Sequence, residues 1–109
     1  SEYCIDFDSQ SRQTKSIVEE YQKLEVPSEF LTYHDLTLQS HDYFYKYLVE
    51  IKEYCDEVQT TTKIGIRYEV ANKHYDNAQS WVKLSLNKSL EAEKIYKSFD
   101  ISVYNVTLS

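Results

Sequence analysis

The chain has 109 residues but only one glycine and one proline. A backbone that turns often needs residues that tolerate positive φ or preset a bend. This one has almost none, so it has to run in a few long elements with few corners. Its long stretches carry apolar residues at helical rather than alternating spacing, so those elements are expected to be helices. The expected fold is all-α, an antiparallel up-down-up bundle of three long helices forming a single domain over residues 1–109.

The course of the chain follows from where that spacing stops. Residues 1–8 read as an extended lead-in, with Tyr3, Ile5 and Phe7 alternating. Asp8 or Ser9 can cap a first helix reaching about Glu25, with Thr14, Ile17, Tyr21 and Leu24 on one face. Val26-Pro27-Ser28 is the proline corner. Proline suits the start of the next helix, because its missing N–H would be unpaired there anyway. The second helix is expected from about Pro27 to Val58. Phe30, His34, Thr37, His41, Phe44, Leu48, Ile51, Cys55 and Val58 share one sector of it. Leu31, Leu38 and Tyr45 widen that sector on one flank, and Tyr43, Tyr47 and Tyr54 on the other. An arc this broad implies neighbours on two sides, so the second helix should be central.

Gln59-Thr60-Thr61-Thr62 interrupts the pattern, and a third helix is expected from about Lys63 to Phe99. Its seam is Ile64, Tyr68, Ala71, Tyr75, Ala78, Val82, Ser85, Ser89, Ala92, Tyr96 and Phe99, alternating by three and four as a heptad pattern does. Ala71, Ala78, Ser85 and Ala92 stand seven apart, and small residues there let neighbouring backbones approach closely. Either this helix is continuous, or it breaks within Ser85–Ser89 and Asn87 or Ser89 caps a fourth. From Asp100 onward Ile101, Val103, Val106 and Leu108 read as an extended tail.

A net charge of −6 argues against nonspecific binding to nucleic acid or to anionic lipid, both of which need clustered Lys and Arg. No apolar run is long enough to insert this segment into a bilayer. With 41% apolar residues the chain can bury a modest core. The absence of methionine, at position 1 included, reads as a processed or excised form, so an upstream leader or anchor would not show.

Cys4 and Cys55 are an even pair and are expected to be bridged. A first helix from Ser9 to Val26 spans roughly 27 Å, so after the turn at Pro27 its start lies level with about Tyr45. An extended stretch from Cys4 to Asp8 adds up to about 13 Å, which brings Cys4 level with about position 53. Two buried free thiols are the alternative. A bridge favours an oxidising compartment, hence an extracytoplasmic location, secreted or anchored through sequence outside this chain. Asn87-Lys88-Ser89 and Asn105-Val106-Thr107 fit the glycosylation pattern, but such matches are expected by chance.

The usual signatures of chemistry are absent. A single glycine leaves no phosphate loop or dinucleotide fingerprint, and there is no Gly-x-Ser-x-Gly elbow or His-Glu-x-x-His. Glu29 to His34 and Glu69 to His74 have the wrong spacing for di-iron Glu-x-x-His pairs. No Cys-x-x-Cys-His is present for haem attachment. His34 and His41 are expected to be partly buried and hydrogen-bonded, too far from His74 for one metal site. No cofactor and no metal are expected. Trp81 pairs level with His41 once the third helix folds back. A pocket of His41, Tyr43, Tyr45, Tyr47 and Trp81 would suit a small aromatic or apolar ligand, with plain core and boundary packing as the alternative.

The stretch Val26-Pro27-Ser28-Glu29-Phe30-Leu31-Thr32-Tyr33-His34 resembles a corner of many uncharacterised secreted or lipid-anchored bacterial and archaeal helical domains. In those, a short helix precedes Pro-x-Glu, and a histidine follows five residues later in a long helix. Here these positions are Pro27, Glu29 and His34. The resemblance implies an extracytoplasmic helical domain and carries over no catalytic residue. The function expected from all of this is a non-enzymatic module for protein interaction, with a partner or with itself, or for structural support. The alternative is a small-ligand-binding or sensory domain using the aromatic pocket.

Overall fold

A computed structural model describes residues 2–64 and 68–99, with side chains for 6–59 and 68–99. Among these are three α-helices: α1 (Glu2–Gln22), α2 (Leu31–Ile64) and α3 (Tyr68–Ser98), with a 3₁₀ turn at Ser28–Phe30 between the first two. The all-α, up-down-up bundle is therefore the fold. At 34 residues α2 is about 50 Å long and is the central element.

Several boundaries differ from the sequence reading. No extended lead-in precedes α1, which is helical from Glu2. The alternation of Tyr3, Ile5 and Phe7 has no sheet to join, and nothing before Ser9 stops helix propagation. Asp8 does not cap a helix start. Its carboxylate pairs with Arg12 one turn on, at 3.3 Å, and its carbonyl accepts from Ser11 Oγ at 2.8 Å. α1 stops at Gln22 in a tightened turn, where Lys23 and Leu24 donate to the carbonyls of Glu20 and Tyr21. Pro27 lies outside the second helix, at φ −53° and ψ 147°, and its carbonyl accepts from the Phe30 N–H at 2.9 Å. The extended ψ of Pro27 excludes it from a helical first turn, so α2 starts later, at Leu31.

Gln59–Thr62 does not break α2, which runs on to Ile64. Threonine disfavours a helix by well under 1 kcal/mol per residue, less than it costs to stop and renucleate one. α3 accordingly starts at Tyr68 rather than near Lys63 and stays continuous through Ser85–Ser89, so no fourth helix arises there. The extended tail expected at 100–109 lies outside the described residues.

Both α1 and α3 pack on α2, and among the described residues the backbones of α1 and α3 do not approach each other. The core is thin. Among the described residues Leu48 is the largest fully enclosed side chain, and Val18, Ile51, Ala71, Ala78 and Ala92 are the other buried apolar ones. Ala71, Ala78, Ser85 and Ala92 are the buried residues of α3, as their spacing predicts. Their small size brings α3 close enough to α2 for a reciprocal hydroxyl clamp. Ser40 Oγ donates to the Ser85 carbonyl at 2.9 Å, and Ser85 Oγ donates to the Ser40 carbonyl at 2.8 Å. Both serines are buried, so each hydroxyl finds its partner across the helix interface rather than in water.

Candidate functional site

Of the five residues of the expected ligand pocket, the four on α2 spread over different faces of that helix, and Trp81 is on α3. Tyr43 stacks on Trp81 at 5.9 Å, and Lys46 Nζ sits over both rings, 5.6 and 5.0 Å from their centroids. That group is a cation–π stack on one flank of the α2–α3 interface. Tyr47 stacks instead on Phe44, at 5.5 Å. Tyr45 lies on the α1 side, beside Val18 and Lys15. His41 is exposed, rather than partly buried, and borders a hollow between α2 and α3. Successive odd-numbered residues of a helix turn through about 200°, so Tyr43, Tyr45 and Tyr47 cannot all face one cavity.

His34 is buried, at 7% exposed, and stacks on Tyr21 with centroids 4.3 Å apart. The expected hydrogen bond is missing: none joins it to any described residue. His74 does have a polar partner. Its Nδ1 lies 2.8 Å from Glu50 Oε2 and ties α3 to α2 at a half-buried position. Among the described residues no cluster of three or more His, Cys, Asp or Glu is arranged to hold a metal. No described helix is long and apolar enough to cross a membrane.

Cys55 is half-buried on α2. The expected bridge involves the Cys4 side chain, which lies outside the described residues. The backbone register is visible nonetheless. Lys52 hydrogen-bonds Asp56 at 3.2 Å, and this bond and charge raise its ammonium pKa, with Asp8 of α1 adding a smaller push in the same direction. Asp8 is thus within electrostatic reach of Lys52 across the antiparallel pair. Cys4 and Cys55 each fall about one turn beyond them in the same direction.

The largest feature is one the sequence reading passed over. Only one of the two heptad positions of α3 is buried. The other, with Tyr68, Tyr75 and Tyr96, is exposed, and Val82 is only half-covered. On α1, Ser11 and Val18 are buried and Tyr21 stacks on His34 of α2, whereas Ile17, and Leu24 just past the helix end, are 53% and 56% exposed. The expected apolar stripe therefore only partly faces α2. The uncovered surface is continuous along the α2–α3 edge. One hollow of about 360 Å³ is bordered by His41, Phe44, Val82, Leu86 and Ser89. It shares His41 and Ser89 with a second of similar size, which reaches Tyr33 and Tyr96. Those two tyrosines also border a third hollow, which reaches Tyr21 of α1 and Leu24 just beyond it. The result is a long, largely apolar trough; besides His34 and His41, Glu93 at its edge is the one acidic or basic side chain among its described lining residues.

The signal for this trough was in the sequence. The third helix has a two-position seam, but an up-down-up arrangement around a central helix can bury only the position that faces that helix. No protein-family model, no curated protein and no solved structure matches the chain.

Proposed function

We propose that the chain is a non-enzymatic, extracytoplasmic helical module for protein interaction, and that the trough beside α2 is its contact face. The observation that carries this reading is the half-used seam of α3. A heptad stripe with one position buried and the other open is the surface a further helix packs against. A second copy of the chain is the simplest supplier. Stripes left uncovered in one copy can cover those of another across a two-fold axis. The near absence of charge in the trough supports this, because two chains of net charge −6 repel unless they meet on a neutral face. Exposed apolar surface of this extent on a small chain also favours an interaction site.

The extracytoplasmic part of the reading is supported by the register of Cys4 and Cys55 on α1 and α2, each about one turn beyond Asp8 and Lys52, a position from which a bridge would pin the start of α1. Sedimentation velocity over a wide concentration range tests the interaction. The native chain is expected to form dimers, and Leu86→Glu in the trough is expected to return it to monomer. Leu84→Glu, at an exposed position on the other flank of α3, should leave the dimer intact. A native chain that stays monomeric at all concentrations contradicts the proposal, and so does a dimer indifferent to Leu86→Glu.

A further inference from the structure

Where α1 ends, the proline corner turns and α3 returns, aromatic rings from all three helices and the 3₁₀ turn converge. Phe30 meets Phe99 edge-on at 5.0 Å, and Tyr33 lies 5.9 Å from Tyr96 and 6.1 Å from Phe99. Tyr21 and His34 stack at the inner wall. These six side chains border a hollow of about 310 Å³. None of its described lining residues is charged. An engineered apolar cavity of about 150 Å³ accommodates benzene, so this volume suits a fused two-ring molecule.

One feature of this corner does not fit simple packing. His34 is more than nine-tenths buried and lines the hollow, yet neither ring nitrogen hydrogen-bonds to a described residue. An imidazole nitrogen that the protein leaves unpaired but not sealed off is open to water or to a ligand. A neutral imidazole offers one N–H donor and one acceptor nitrogen. A wall of aromatic rings with one convergent polar group is the usual anatomy of a small-molecule pocket. The geometry points to a binding site for a neutral, fused-ring aromatic compound that carries one N–H or O–H group, with the rings of Phe30, Tyr33, Tyr96 and Phe99 around its body and its donor on His34. The site stands apart from the cluster of His41, Tyr43, Tyr45, Tyr47 and Trp81; it lies at the α1 end of the trough, where a bound ligand would compete with a second copy.

The test is an NMR titration of the full chain with indole, alongside benzofuran, which has the same shape without the N–H. Indole is expected to shift the His34 and Phe99 ring signals saturably, and to bind roughly fivefold to tenfold more tightly than benzofuran, as one hydrogen bond allows. In His34→Phe, which keeps a ring in place, the two probes should bind alike. Four results would overturn the inference: no saturable shift at His34 and Phe99, equal affinities in the native chain, a preference for indole that survives His34→Phe, or contacts from residues 101–109 to Phe30 and Phe99 that neither probe displaces. The comparison within the native chain stands even if the variant does not fold.

Discussion

Ala78→Leu probes the α2–α3 interface at its tightest point. Ala78 is fully buried, with 0% exposure, and faces α2 two turns from Ser85. There the two backbones are close enough for a serine hydroxyl to reach the opposite main-chain carbonyl at 2.8 Å. Leucine adds three carbons. Buried without strain, they would contribute about 2 kcal/mol in favour of folding. None of the described hollows is bordered by Ala78, so the added volume has to separate the helices or force a poor rotamer. Overpacking of this kind costs about 1–3 kcal/mol. The upper half of that range is expected, because separating the helices also strains the Ser40–Ser85 clamp. Thermal unfolding should move down by about 8–24 °C, at about 4–8 °C per kcal/mol for a domain of this size. Ala92→Leu is the internal control. Ala92 is 5% exposed but borders the trough, so its added carbons have somewhere to go and the loss should be markedly smaller. Urea unfolding followed by far-UV circular dichroism gives both values. If Ala78→Leu lies within about 0.5 kcal/mol of the native chain, or costs less than Ala92→Leu, the close-approach reasoning is refuted.

Three further outcomes follow from the same packing. Ser85→Ala removes the donor to the Ser40 carbonyl and should cost about 1 kcal/mol by the same urea assay, and the double variant with Ser40→Ala should cost less than the sum of the two because they share one network. Leu48→Ala, at the largest enclosed side chain, should cost about 2–5 kcal/mol, and a loss below about 1 kcal/mol would show that the core lies elsewhere. Mass spectrometry of air-purified chain without reductant should find no alkylatable thiol, and recovery of two would remove the Cys4–Cys55 bridge and with it the support for an oxidising compartment.

Helix number, order and the buried face of α3 were legible because each depends on local pattern. Scarce turn residues limit the corners, and small residues seven apart have one use in a helix. Boundaries were less legible, since they turn on small differences. Three threonines in a row weaken a helix too little to end it, and an alternation near the chain start specifies a strand only if a sheet is there to receive it. Burial was legible only in part. Of the stripe expected on the first helix, Tyr21 reaches His34 of α2, yet Ile17 and Leu24 stay exposed while Ser11 and Val18 are buried. An apolar stripe says that something wants covering, not that this chain covers it. The dispersal of Tyr43, Tyr45 and Tyr47 could have been foreseen from helix geometry alone. The aromatic corner could also have been anticipated, because an up-down-up path brings Phe30 and Tyr33 beside Tyr96 and Phe99. The unpartnered state of His34 could not, because it depends on which side chains other elements deliver to that point.

The uncovered trough is proposed to be filled by a second copy of the chain. A mixed sample of isotope-labelled and unlabelled chains, read by filtered nuclear Overhauser spectroscopy, tests this directly. Contacts between copies are expected at the methyl groups of Val82 and Leu86 and at Ile17. Intermolecular contacts confined to the outer flank at Val70 and Leu84, or contacts between Ile17 and Leu86 within one copy, would contradict it.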